Sequence, residues 1–449
     1  MNLIKKFGPY VLFLAVAVGL SCLVQRPEMN WLRELFEKGT GSLFLVLPLL
    51  VVVAYGLKRL APCVAVPSYV WAIIFGMALQ PLLYAPIMQD LSNLRVIVEL
   101  LAAFILFASA IAIPMKNFRK FFTPIVALSL AGTILTVILF TYVLAGLVGL
   151  FDLQVSVVAL LVLAAILASV DPSAITGTLD RLTFRRPFLR DVAVSEGAVN
   201  DVAGTILTRF FLIGALSVAA GSVAMDGSLA PLFARSILES FALELVWGTL
   251  VGLLGAKILS VWGASIRTVH WSDLALFLTI PIFTFALGSI VAGSGFLAAF
   301  VAGLMFNVQV GTEVVRASFT RVIDDFMKPV VFILLGILVP LDLLVTTAGV
   351  GIAAALIFMF VIRPAVVFTT LLPWMSSGTS ILSWREALFL SFIRETGAIP
   401  AVLILIAFAV GLVDVGFVFA VGMWVILLTL TIEPPLTPLI ARYLGVAKR

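Results

Sequence analysis

Apolar runs of about 20 residues follow one another along almost the whole chain, separated by short polar loops. A helix needs roughly that length to cross a hydrocarbon layer of about 30 Å. The strict alternation of an outer-membrane barrel strand is missing. The pattern predicts spans near 9–25, 42–57, 63–84, 94–115, 121–148, 156–179, 191–218, 233–263, 273–288, 292–307, 324–341, 348–372, 385–411 and 414–440. The fold class is therefore an all-α polytopic membrane protein of about 13–14 transmembrane helices. The first run follows a basic start and could pass for a secretory signal, but it lacks a small-residue cleavage site and reads as a retained span. The next segment, RPEMNWLRELFEKG, places Trp31, Leu32, Leu35 and Phe36 at helical spacing, which predicts an interfacial helix. Residues 273–307 read either as a hairpin or as one broken element, rich in the small residues that let helices pack closely.

Composition agrees with this reading. The 449 residues are 63% hydrophobic and 11% charged, against about 25% charged in soluble domains. The placement of charge matters more than the net +5. With the N-terminus inside, the inner loops hold Lys58 and Arg59; Lys116, Arg119 and Lys120; Arg181, Arg185, Arg186 and Arg190; Arg267; Arg316 and Arg321; and Arg442, Lys448 and Arg449. The outer loops hold mainly Asp90, Asp152, Asp226, Asp342 and Asp414, apart from Arg26, Arg33 and Lys38 in the first. That asymmetry predicts an inner-membrane protein with both termini in the cytoplasm. Without a dispersed basic face, nucleic acid is not an expected partner. Cys22 and Cys63 lie in apolar runs and read as small core residues rather than a metal or disulfide framework, and His270 reads as a loop histidine. The chain has no His-rich metal set and no nucleophile–base pair, so neither an enzyme nor a cofactor is expected.

Two spans are interrupted. The sixth ends ILASVDPSAITGTL, where Pro172 removes a backbone donor and disfavours helix at Asp171. The thirteenth reads LSFIRETGAIPAVLILIAF, with Gly397 and Pro400 as its breakers. The two are seven spans apart and run in opposite directions. Matched interruptions in two halves point to inverted repeats with a binding site where the broken helices cross. Ionisable residues cluster nearby. Glu196, Asn200 and Asp201 share the seventh span, Glu196 and Asn200 on one helical face. Arg363 precedes Pro364 in the twelfth span and needs a buried partner, for which Glu196 is the candidate. Arg394 and Glu395 in the thirteenth read as satisfied locally, whereas Asp201 has no obvious permanent partner in the sequence. Arg209 reads as lining an exit path or as a snorkelling side chain, and Asp324, Asp325 and Lys328 as an interfacial cap. A carboxylate taken out of water exchanges protons more readily near neutral pH and offers oxygens to a hard cation.

The motifs Val170-Asp171-Pro172, Glu196-x-x-x-Asn200-Asp201, Arg363-Pro364 and Gly397-Ala398-Ile399-Pro400, in that order, resemble the cation–proton antiporter superfamily, in particular its NhaP/NHE-type branch. The resemblance covers roughly 42–445. It implies a homodimer in the lipid bilayer that exchanges Na+ or K+ for H+ by elevator-type alternating access. It implies a scaffold at 42–120 and 229–341, an ion-translocating core at 121–228 and 342–449, and an additional N-terminal segment at 1–41. Asp201, Asn200 and Asp171 would bind ion and proton. Glu196 and Arg363 would be a supporting ion pair. Pro172, Ser173, Thr396, Gly397 and Pro400 would shape the crossing. Gly197, Val170 and Ala108 stand where the family often carries oxygen side chains, and Thr396 where it carries an arginine, which leaves the choice between Na+ and K+ open. Two rivals are a sodium-coupled organic-anion symporter on a related fold and a potassium efflux system.

Overall fold

The structure is a computed structural model and describes residues 2–26, 29, 48–56, 67–170, 179–180, 182–219, 233, 235–263, 271–307, 313–376, 382–393 and 395–448. In chain order the long helices are α1 (Asn2–Val24), α2 (48–56), α3 (Ser68–Met88), α4 (Leu91–Ala112), α5 (Phe122–Leu150), α6 (Val157–Leu167), α7 (Phe188–Ala219), α8 (Arg235–Gly263), α9 (Trp271–Ile290) and α10 (Gly295–Asn307). There follow α11 (Glu313–Val322, a π turn Ile323–Met327, then Lys328–Leu338) and α12 (Ala348–Ile357, a π turn Phe358–Ile362, then Arg363–Ser376). Last come the half-helices α13a (Trp384–Ser391) and α13b (Ala398–Ala409), and α14 (Val415–Tyr443). Each predicted span has its helix among the described residues. The chain is an all-helical, multi-pass membrane protein, and seven of these helices are each long and apolar enough to cross a bilayer alone.

Of the two readings of residues 273–307, the hairpin is the one found: two helices closed by a turn in which Ala292 takes φ 56° and the Gly293 amide donates to the Gly288 carbonyl at 2.7 Å. Other details differ from the sequence reading. Cys22 is not a core residue but lies exposed on α1. Pro400 does not break its span: residues 392–393 and 395–397 lie outside helix, and Pro400 sits in the first turn of α13b. A first-turn proline lacks only an N–H that would have no helical acceptor anyway. The interfacial helix expected after Arg26, Cys63 and His270 lie outside the described residues.

Two helices are short for a physical reason. α6 has 11 residues and α13b has 12, so each spans about 17 Å, little more than half a hydrocarbon core. Nearly every side chain of both is buried. Their broken ends, at Ala168–Ser169 and Gly397–Ala398, therefore lie inside the protein at mid-depth, where irregular backbone must be shielded from lipid.

Prolines also explain two of the π turns. Ile323–Met327 and Phe358–Ile362 each end one residue before a Lys-Pro or Arg-Pro pair, Lys328-Pro329 and Arg363-Pro364. A proline ring collides with the carbonyl four residues back, and widening the preceding turn relieves that collision without breaking the helix. The helix continues, and the basic residue is turned inward. Lys328 is buried 2.9 Å from Asp324, so Asp324 and Lys328 are tied within one helix.

α3 and α11 make the closest crossing. Gly76 lies against Ile333 and Gly336, and Gly336 lies against Ile73 and Gly76. A Cβ on either glycine would overlap the facing carbonyl oxygen, as in small-residue crossings where backbones touch. By contrast, a Cβ on Gly146 of α5 meets nothing within 4 Å. Gly336→Ala should therefore lower stability in detergent by about 1–3 kcal/mol, the usual cost of overpacking. Gly146→Ala should leave the unfolding midpoint unchanged or slightly raised, and equal midpoints for the two variants would contradict the assigned contact.

Candidate functional site

α7 carries the charged residues of the site, and its neighbours decide what each can do. Asp201 and Asn200 are fully buried, and Glu196 is 3% exposed. Glu196 faces α12, where the Arg363 Nη2 donates to both carboxylate oxygens at 3.1 Å. Arg363 is the largest fully buried side chain of the described residues. The pair joins positions 167 residues apart. Its Coulomb attraction is strong because no water competes, but both charges have been desolvated. The arrangement is thus a neutral unit that holds α7 to α12.

A relay of hydroxyls runs from this pair along α5. Ser129 sits in a third π turn, Ala127–Ala131, and its Oγ donates to the backbone carbonyl of Glu196 at 3.1 Å. Thr133 Oγ1 donates to the Ser129 carbonyl, and the Asn200 amide nitrogen donates to Thr133 Oγ1 at 2.9 Å. Thr133 has one hydroxyl proton and spends it on Ser129, so it can only accept from Asn200. That fixes the amide orientation: nitrogen toward α5, with Oδ1 buried and accepting no hydrogen bond among the described residues.

Asp201 lies one residue further round the helix and faces the broken end of α6. Ser169 Oγ donates to Asp201 Oδ1 at 2.7 Å, and both residues are fully buried. Gly204 makes this approach possible. A Cβ there would stand 2.8 Å from the Ser169 Cβ and 3.2 Å from its amide nitrogen.

Around the second break, Thr396 is tied to α14. Thr429 Oγ1 lies 2.9 Å from Thr396 Oγ1 and 3.4 Å from its amide nitrogen. Gly397 caps α13b, whose first turn holds Pro400, and Glu395 is fully buried. Glu433, one turn beyond Thr429 on α14, is also buried. Asp171, Pro172, Ser173 and Arg394 lie outside the described residues. Arg209 leaves the site two turns beyond Asp201: it pairs with Glu244 of α8 at 2.9 Å and lies over the Phe296 ring of α10.

The structure thus brings Glu196 to Arg363, but sends Asn200 to α5 and Asp201 to α6. Sequence reading missed Ser129, Thr133, Ser169, Thr429 and Glu433. Glu433 alone carried a usable signal, a charge inside the apolar run VILLTLTIEPP. The geometry predicts unequal costs of disruption. Arg363→Met alone leaves Glu196 buried without its cation and should cost about 3–5 kcal/mol in detergent unfolding, whereas Glu196→Gln with Arg363→Met should cost clearly less than the sum of the two single changes. Additive costs would mean that the two side chains do not interact.

Comparison with known proteins places this geometry. The chain matches the family "Sodium/hydrogen exchanger, transmembrane" over residues 43–442. It is 26% identical over 356 residues to the K(+)/H(+) antiporter NhaP2 of Shewanella sp. (strain MR-4), a match covering 77% of this chain and 57% of that protein. It is 26% identical over 347 residues to the Na(+)/H(+) antiporter NhaP of Pseudomonas aeruginosa (strain PAO1), covering 71% of this chain and 77% of the relative. The chain therefore spans little more than half the length of the Shewanella relative. Among solved structures, the sodium proton antiporter MjNhaP1 from Methanocaldococcus jannaschii at pH 8 superposes with a TM-score of 0.73 at 20% identity, over 89% of this chain and 97% of that one. The fold is that of this antiporter, and by the match over 43–442 the chain belongs to the sodium/hydrogen exchanger family.

Proposed function

We propose that the chain exchanges a monovalent cation, Na+ or K+, for H+ across the inner membrane. The observation that carries this reading is Asp201, a fully buried carboxylate at mid-span of α7, facing the broken end of α6. Such a group is stable when neutralised by a proton or by a cation, and it cannot hold both. Passage from one side to the other with only one of the two bound is sufficient for exchange. The relatives are named as K(+)/H(+) and Na(+)/H(+) antiporters, which supports the same reaction with either ion. Glu196 and Arg363 neutralise each other and are assigned to holding the site together rather than to carrying ions.

The movement we assign is of elevator type. The core comprises α5–α7 and α12–α14 within 121–228 and 342–449, and the scaffold comprises α2–α4 and α8–α11 within 42–120 and 229–341. α5, α6 and α7 pack on one another and on α12 and α14, while α3 packs on α11 and α10 on α4, α8 and α9. The seam between the two groups runs beside α7 and α13b. A cleft opens there, lined by Arg95 and Glu99 of α4, Arg209 of α7, Phe296 of α10, and Leu403 and Ile406 of α13b. We further assign inverted repeats, each with one broken helix, cytoplasmic termini and a homodimer held through the scaffold. α1 packs on α3 as an addition to that scaffold.

The test is reconstitution in liposomes with an internal pH dye. Added Na+ or K+ should drive proton movement in the wild type, and Asp201→Asn should abolish it. Full activity of that variant, or no proton movement with any cation, would refute the assignment; uptake of an organic anion driven by Na+ would favour the symporter rival. The seam has its own test. In a Cys22→Ser, Cys63→Ser background, Arg209→Cys with Glu244→Cys should be bridged by a reducible bifunctional thiol reagent, which should stop exchange until it is reduced. Undiminished exchange at complete cross-linking would mean that α7 does not move against α8.

A further inference from the structure

Ser169 lies just beyond the last turn of α6, with its amide donating to the Ile166 carbonyl at 3.3 Å. It is fully buried, and its hydroxyl reaches Asp201 Oδ1 at 2.7 Å. Neither Val170 beside it nor Gly197 on α7 carries a side-chain oxygen. We infer that Ser169 is a ligand of the transported cation, its hydroxyl oxygen completing with the Asp201 carboxylate a site for a hard monovalent ion. The inference rests on the antiport reading of Asp201 and assigns it a second side chain that contacts the ion.

Three features support the assignment. The first is chemical. A hydroxyl is one donor and two acceptor lone pairs on a freely turning bond. It donates to Asp201 when the carboxylate is bare. It accepts from the acid O–H when Asp201 carries a proton, and it turns a lone pair to a cation bound on the carboxylate. One side chain thus serves all three occupancies without moving its backbone, and only in the cation-bound one does it contact the ion. The second is the space provided for it. Gly204 leaves no Cβ between α7 and Ser169, and any larger residue there would push the serine off the carboxylate. The third is the surroundings. The C-terminal end of a helix favours positive charge, and Ser169 is at the end of α6. The pair itself offers a carboxylate and a hydroxyl oxygen within 2.7 Å of each other. Hard cations are bound by such oxygen sets.

The experiment uses the full chain in the dye-loaded liposomes and compares wild type, Ser169→Ala, Ser169→Cys and Ser169→Thr. Losing one ligand to a charged group should raise the half-saturating cation concentration about tenfold at fixed pH. The maximal rate should stay within about twofold, since the transport step is intact. Ser169→Cys should behave like the alanine variant, because sulfur is a poor ligand for a hard ion. Ser169→Thr, which keeps the hydroxyl, should restore affinity. Thermal unfolding in detergent gives an independent readout. The cation titration that raises the wild-type midpoint should shift to higher concentration in Ser169→Ala. An unchanged half-saturating concentration in Ser169→Ala overturns the inference and leaves the antiport reading standing. So does a fall in maximal rate alone, which would mark Ser169 as structural. A wild type that moves no protons with any cation overturns both.

Discussion

The constraint on which the rest depends is a guanidinium buried at membrane depth. Arg363 cannot reach water, so its charge must be answered inside the protein, and Glu196 answers it. From that one contact the neighbours follow. α7 and α12 must both pack on the π turn of α5, so that Arg363 can reach Glu196. The π turn before Pro364 must widen the helix to aim the arginine there. The backbone of Glu196 is then held by Ser129, and the hydroxyl relay continues to Asn200. Asp201, on the same helix but turned toward α6, is kept out of this closed circuit. Its position is fixed by its neighbours, Ser169 among them.

Packing is distributed unevenly, and the pattern bears on function. Where helices belong to one body, backbones touch, as at Gly76 and Gly336, or as α8 lays Gly248, Gly252 and Gly255 against α9 and α10. Where the proposed bodies meet, α13b packs closely on α4 and α11, and a long side chain also bridges the seam. Arg209 reaches Glu244 and lies over Phe296, beside an open cleft. Side chains that reach can let go and re-form contacts, whereas interlocked glycines resist sliding. The pair is partly buried, so it ties α7 to α8 where the proposed bodies meet.

Much of this was legible in the sequence. Helices in lipid must be long and apolar, so the runs declare the spans. A charge inside such a run stands out against its surroundings, and Glu196, Asp201 and Arg363 could be singled out for that reason. The partners of the charges were less accessible. Arg363 had Glu196 as its natural answer because each was an isolated charge of opposite sign. Ser169, Ser129 and Thr133 were invisible because small hydroxyl residues are ordinary in membrane helices, where they usually bond their own backbone, as Thr136 does to Gly132. Only the meeting of α5, α6 and α7 distinguishes the few that reach another helix. Pro400 was misread for a related reason: a proline marks a boundary, but which side of it the helix occupies depends on where the chain resumes its turns.

The separation of Glu196 and Arg363 along the chain also orders the protein's biogenesis. A ribosome releases the glutamate 167 residues before the arginine, so the membrane holds the acidic helix when the basic one is delivered. Synthesis in the opposite order would place a lone guanidinium in lipid with nothing to receive it. The direction of translation thus lets the N-terminal half act as the receptor on which the C-terminal half is assembled.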